Sequence, residues 1–311
     1  MDKALANMKH LLLAFGIIAM CSNATSATAA ADKPENFASP EQAADALVAA
    51  ARNNDPAAML RIFGAAGQEL VSSGDKIEDR RARARFVGHY DEGSKVLRDS
   101  ADKATLLVGA EEWPFPIPIV RQAGVWHFDS PAGAEEILDR RVGRNELDAI
   151  RICRNYVRAQ RDYAADLQSA QKPVEYAQKF VSSPGRHDGL YWPVGQGEQQ
   201  SPMGPLMAHA RAEGYGHHAK GVHAPYHGYF YKILTRQGAA APGGVRDYMA
   251  DGHMTGGFAL IAFPATYGNS GVTTFIVNQD GIVYEKNLGP DTAKVAASIT
   301  EFNPDLTWKT R

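Results

Sequence analysis

Apolar residues recur at helical spacing from residue 39 onward. Ser39 precedes Pro40 and Gln42 follows three residues after the serine, an arrangement typical of a helix start. The apolar residues that follow keep to one helical face: Ala43, Ala44, Leu47, Val48 and Ala51. Asp55-Pro56 predicts a second, short helix, and the charged segment 79–85 predicts a third.

Strand-like runs follow these helices. They lie at 105–109, 116–120 and 125–129. The last two flank the sequence Arg-Gln-Ala-Gly at 121–124, which predicts a hairpin loop. Helices followed by an antiparallel sheet predict a small α+β module over residues 32–142.

A long helix is expected to open the second half of the chain. Asn145 is placed to cap it, with Asp148 three residues later. Apolar residues share one side of this helix as far as Leu167, and Cys153 among them is expected to be a small core residue. A second stripe, which we interpret as a solvated flank rather than a surface for an anionic partner, consists of Arg151, Arg154, Arg158 and Arg161.

The remaining pattern predicts a second sheet. Four strand candidates are found at 228–234, 257–263, 272–277 and 282–285, and a helix follows from 293 to 302. Of the 29 glycines, 19 lie between Gly185 and Gly289, which predicts glycine-rich loops. The predicted fold class is α+β: two modules, 32–142 and 143–311, each with helices packed on an antiparallel sheet and joined by the long helix.

Residues 1–31 have the pattern of a secretory signal peptide. Lys3 and Lys9 precede the apolar run 11–20, and small residues end the segment. Because a bilayer requires about 20 apolar residues, this run is too short for a membrane anchor. We expect export to the periplasm or the medium and no transmembrane segment in the mature chain. Cys21 raises lipidation as an alternative, but Met20 stands where that chemistry favours a small residue.

Composition and charge restrict the partners. The formal net charge is −2, with 44% hydrophobic and 22% charged residues, as in ordinary globular proteins. Since the chain carries no basic excess and no polybasic run, nucleic acid is not an expected partner. An envelope protein or a small ligand remains as the expected partner.

Histidines suggest a chemical site in the second half. Seven of the ten lie between His187 and His253. The candidate metal ligands are His217, His218, His223 and His227. No HExxH motif and no paired CxxC motif supports them, so no cofactor is predicted. A hydrolase would use His227, Asp247 and His253, whereas Ser182 and Ser183 beside Asp188 are typical of tight turns.

The glycine-rich loops are the expected location of function, because loops on a rigid sheet usually carry it. Two segments stand out, 184–193 and 237–253. The candidate binding residues are Asp188, Tyr191, Trp192, Tyr226, His227 and Tyr229. The leading hypothesis is a non-enzymatic envelope binding or scaffold protein. The alternative is a periplasmic hydrolase or metal-dependent enzyme that uses the histidine-rich loops.

Several long motifs in order carry a family resemblance. They are Trp113–Pro118, Arg140–Glu146, Ser182–Gly185, Asp188–Pro193, Pro225–Tyr229, Gly256–Leu260 and Thr274–Gly281. Together they resemble the bacterial exported family called domain of unknown function 2950, over nearly the whole mature chain. The resemblance implies an exported bacterial protein and supplies no activity and no catalytic residues. The C-terminal half is also similar in shape to the globular part of type IV pilin-like proteins, without their long apolar assembly helix.

Overall fold

The computed structural model describes residues 33–167, 174–195, 197–215 and 224–311. The predicted signal peptide and the candidate ligands His217, His218 and His223 lie outside these ranges. In the described part of the chain, no helix combines the length and the apolar character needed to cross a membrane.

Helices open the N-terminal module, and local capping explains where the first two begin. Ser39 Oγ accepts a hydrogen bond from Gln42 N at 3.2 Å, and Asp55 Oδ1 accepts one from Ala58 N at 3.0 Å. The helices are α1 (Pro40–Arg52), α2 (Pro56–Phe63), α3 (Gln68–Val71) and α4 (Lys76–Glu92). The predicted charged helix is thus longer than expected.

An antiparallel sheet of five strands follows. Its strands are β1 (Ser94–Arg98), β2 (Lys103–Val108), β3 (Trp113–Pro114), β4 (Ile119–Gln122) and β5 (Val125–Phe128). They pair in the order β1-β2-β4-β5, and β3 also pairs with β2. The sequence did not predict β1, because its residues are largely exposed and show no alternation of apolar and polar positions.

Helix α5 (Ser130–Leu167) spans 38 residues and packs against elements of both halves. Our prediction that Asn145 caps this helix was wrong. Asn145 lies inside the helix, where its buried amide donates to Ser270 O at 2.9 Å. The helix begins at Ser130, whose hydroxyl donates to Phe63 O at 2.8 Å, so the proposed boundary after residue 142 falls within one continuous helix.

The C-terminal module contains a second antiparallel sheet of five strands, in the order β14-β13-β12-β11-β6. We predicted four strands in this sheet, and β14 is an additional short edge strand. The elements are α6 (Gly204–Ala212), β6 (Tyr229–Leu234), β7 (Arg236–Gln237), β8 (Arg246–Asp247), β9 (Met249–Ala250), β10 (His253–Met254), β11 (Ala259–Pro264), β12 (Thr273–Asn278), β13 (Val283–Asn287), α7 (Thr292–Ser298) and β14 (Lys309–Thr310).

Each of the two modules has its own apolar core. One contains Leu47, Phe63 and Phe128, and the other contains Tyr156 and Phe275. The predicted α+β class, with two helix-on-sheet modules joined by a long helix, is confirmed.

Cys153 is enclosed in the C-terminal core and has no exposed surface. Burial raises the pKa of its thiol to about 12. At pH 8 the thiolate fraction is therefore about one part in ten thousand. We expect iodoacetamide to leave the Cys153 peptide unmodified in the native protein and to modify it fully in urea, as measured by mass spectrometry. Rapid native labelling would contradict this burial.

Candidate ligand-binding site

One face of α4 mixes charged and apolar side chains. Asp79, Ala82, Arg83, Phe86 and His89 recur at spacings of three and four, so they share one side of the helix. This face spans about 15 Å along the helix axis. All five residues line the same cavity.

Helix α5 contributes a second mixed face. Ile137, Arg140, Arg141 and Arg144 also recur at spacings of three and four and also line the cavity. Near the start of the helix, Gly133 allows close contact with the segment 113–117. A Cβ atom on Gly133 would lie 2.5 Å from Pro116 O.

The cavity between these faces has a volume of about 620 Å³. Its third wall is the segment from Trp113 to Ile117, and the remaining wall is apolar, formed by Leu47, Met59, Phe63, Leu70, Val71 and Val108. Pockets that bind small molecules in proteins have volumes of about 300–1,000 Å³ and mainly apolar walls. The cavity therefore has the size and the lining of a small-molecule site.

Four of the five arginines that line the cavity have protein partners. Arg85 pairs with Glu78 at 2.7 Å, and Arg140 pairs with Glu136. Arg83 donates to Asn54 Oδ1 at 2.8 Å.

Arg141 donates to Glu69 O at 2.6 Å, to Leu70 O at 2.7 Å and to the side chain of Asn269. These bonds fix the arginines as part of the cavity wall.

Arg144 differs from these four. It makes no hydrogen bond or ion pair with any residue that the structure describes. Arg144 is exposed, yet the protein around its guanidinium partly desolvates it and so lowers its pKa, and the nearby positive charge of Arg85 lowers this pKa further. The negative charges of Glu78 and Asp148 partly offset this lowering, and arginine stays protonated despite such shifts. Arg144 therefore presents at the cavity a positive charge that forms no ion pair with the described residues.

Asp79 is the only acidic side chain on the cavity wall within the described residues. Its carboxylate accepts from Ser73 Oγ at 2.6 Å and from Ser73 N at 3.0 Å. Burial raises the pKa of Asp79, and the bonds from Ser73 offset part of this rise. The Asp79 carboxylate is thus already engaged by the protein.

Asp75 joins the start of α4 to the C-terminal module. Its Oδ1 accepts from Ile77 N and Glu78 N, each at 3.1 Å, and so caps the helix. Its Oδ2 accepts from Tyr215 Oη at 2.8 Å and from Gly228 N at 3.1 Å. Burial raises the pKa of Tyr215, and the Asp75 charge raises it further, so the tyrosine remains a hydrogen-bond donor.

His227 lies next to this junction among three carboxylates. Its Nε2 is 3.2 Å from Glu213 Oε2, and its Nδ1 is 3.4 Å from Asp148 Oδ2 and 4.0 Å from Glu78 Oε2. The Nε2–Glu213 contact does not have the alignment of a hydrogen bond. Only 4% of His227 is exposed, and it does not line the cavity. A substrate could reach its ring only by displacing the surrounding segments.

Comparison with known families identifies the relationship. Residues 34–310 match the family described as Protein of unknown function (DUF2950). The chain belongs to this family. No curated protein and no solved structure matches it.

Two motifs that carried the DUF2950 resemblance, Trp113–Pro118 and Arg140–Glu146, contribute to the cavity. The sequence assigned them no role. The signals for the site were the arginines of Arg140–Glu146 and of α4, but nothing in the sequence shows that these segments meet Trp113–Pro118.

The predicted catalytic residues of the DUF2950 chain lie in different surroundings. Asp247 is exposed on β8 and accepts from Met249 N at 2.9 Å. His253 is exposed on β10, with its Nδ1 2.9 Å from Glu175 Oε1. His227 lies instead in the buried cluster with Glu213, Asp148 and Glu78. Among the described residues, no group of His, Cys, Asp and Glu has metal-binding geometry.

The predicted binding residues fall into two groups, and Tyr229 exchanges two backbone hydrogen bonds with Tyr226 of the second group. Asp188 accepts from Lys179 Nζ and from Ser183 N, each at 2.8 Å, and the Lys179 bond lowers the pKa of Asp188 well below its ordinary value. Nearby, Trp192 stacks on His187 with ring centroids 4.1 Å apart.

The Arg211 guanidinium lies over the Tyr191 ring, 5.0 Å from its centroid. Tyr226 packs beside His227, with ring centroids 4.3 Å apart. Tyr229 is buried in the core and donates to Thr273 O at 2.9 Å. None of these residues lines the cavity.

Proposed function

We propose that this protein is a non-enzymatic binding protein that holds an apolar small molecule in the cavity between α4, α5 and the segment Trp113–Ile117. The observation that carries the proposal is the cavity itself, about 620 Å³ in volume and lined mainly by aliphatic and aromatic side chains. Transfer of apolar surface from water into such a cavity is favourable by about 25 cal/mol per Å².

The polar groups of the cavity walls are suited to binding rather than to catalysis. The polar groups of Arg83, Arg85 and Arg141 are held by protein partners, as is the carboxylate of Asp79. Such a preformed wall binds a ligand at low cost, because few side chains need to be ordered. We place this activity in the cell envelope because residues 1–31 have the pattern of a signal peptide.

A pair of alanines on α4 provides a test of the cavity. Ala82 and Ala84 are both exposed, but only Ala82 lines the cavity. We expect the neutral dye N-phenyl-1-naphthylamine to bind the purified protein saturably, with increased fluorescence. Ala82→Trp fills the space and should weaken this binding by at least about tenfold, or about 1.4 kcal/mol. Ala84→Trp should bind like the unmodified protein.

Circular dichroism and thermal unfolding verify that both variants are folded. The proposal is overturned if the unmodified protein shows no saturable binding. It is also overturned if folded Ala82→Trp binds the dye as tightly as Ala84→Trp, because the dye then occupies another surface.

A further inference from the structure

The charge of the cavity wall is unbalanced. Five arginines line it against one carboxylate, that of Asp79, among the described residues. Glu78 and Glu136 compensate Arg85 and Arg140 from outside the lining. Arg141 is held by backbone carbonyls and an amide, which satisfy its donors without neutralising its charge. The wall therefore retains a net positive charge beside an apolar space.

Arg144 is the group with free hydrogen-bonding capacity. Its guanidinium has five N–H donors, and no described residue accepts from them. Arg144 is exposed, and its charge is repelled by Arg85 and attracted by Glu78 and Asp148. An anion placed beside it would offset the repulsion from Arg85. The same anion would gain bidentate hydrogen bonds from a planar donor pair.

We propose that the ligand is an amphipathic molecule with a singly charged oxyanion, such as a long-chain carboxylate, whose head group binds Arg144 while its apolar part fills the cavity. This inference rests on the proposed function, since it names the ligand class of the same site. A single negative charge matches the one arginine that has no partner within the described residues. The apolar part matches the aliphatic and aromatic walls.

A matched pair of probes separates the charge from the apolar part. 11-(Dansylamino)undecanoic acid and its methyl ester differ only in the carboxylate. Trp113 lines the cavity and is 58% exposed, so it is an energy-transfer donor to the dansyl group at the cavity, whereas Trp126, Trp192 and Trp308 lie outside the lining. We expect the acid to bind the full-length protein about tenfold more tightly than the ester, as for a charge-assisted hydrogen bond at a partly exposed site. This preference should decrease with added salt.

The variant Arg144→Gln removes the free charge and keeps a polar side chain. It should lose the preference for the acid and leave ester binding unchanged. Arg158→Gln removes the same charge from the same helix, about 21 Å along its axis and outside the cavity lining. This control should keep the full preference for the acid.

The outcomes distinguish the two proposals. If neither probe binds, the proposed function fails. If both probes bind the unmodified protein equally, the cavity binds apolar molecules and the inference about an anion is overturned. If Arg144→Gln weakens both probes to the same extent, Arg144 supports the cavity wall only, and the inference is again overturned.

Discussion

Replacing Asp75 with alanine is expected to lower the free energy of unfolding by about 3–4 kcal/mol. The buried carboxylate accepts four hydrogen bonds, two from the first turn of α4 and one each from Tyr215 and Gly228. Loss of a helix cap costs about 1 kcal/mol, and each buried donor left without a partner costs about 1–3 kcal/mol. Urea unfolding followed by circular dichroism measures the change.

Asp55→Ala is the matched control. Asp55 also caps a helix, but its side chain accepts only from Ala58 N among the described residues. Its loss should therefore cost about 1 kcal/mol. Equal losses in the two variants would show that the bonds from Asp75 to the C-terminal module do not contribute to stability.

The sequence predicted the elements whose signals are local. The capping serine at Ser39 and the Asn-Gln-Asp-Gly turn at 278–281 lie where the expected helix start and hairpin occur. These features depend on bonds between residues two to four positions apart, so composition and spacing are enough to find them. Four of the five strands of the second sheet were found from local patterns as well, to within two residues.

The true start of α5 depends on contacts that are distant in sequence. Asn145 has the residue type and the spacing of a cap, yet it is buried against Ser270. Gly133 and Gly143 disfavour a helix locally, by about 1 kcal/mol each. Close packing of Gly133 on Pro116 and the bond from Ser130 to Phe63 override this preference, and neither contact is visible before the fold is known.

The candidate site depends even more on contacts between residues that are distant in sequence. Its walls come from residues 79–89, 113–117 and 137–144 together with α1, α2, α3 and β2, so no single stretch resembles a binding motif. The prediction focused on the C-terminal loops because most of the histidines cluster there. The fold instead places His227 in a buried cluster with Glu213 and Asp148.

Gly228→Ala is expected to lower the free energy of unfolding by about 3 kcal/mol, because it combines backbone strain with a clash at this junction. Gly228 has a φ of +73°, and a Cβ atom there would lie 2.5 Å from Asn145 Nδ2, which donates to Ser270 O. Gly244 has a φ of +75° with no atom within 4 Å of an added Cβ, so Gly244→Ala should cost only about 1–2 kcal/mol. Urea unfolding measures the free energy of unfolding of both variants. The difference between their losses gives the contribution of the packing contact. If Gly228→Ala is no less stable than Gly244→Ala, the contact of Gly228 with Asn145 is not tight, and the buried junction tolerates an added methyl group.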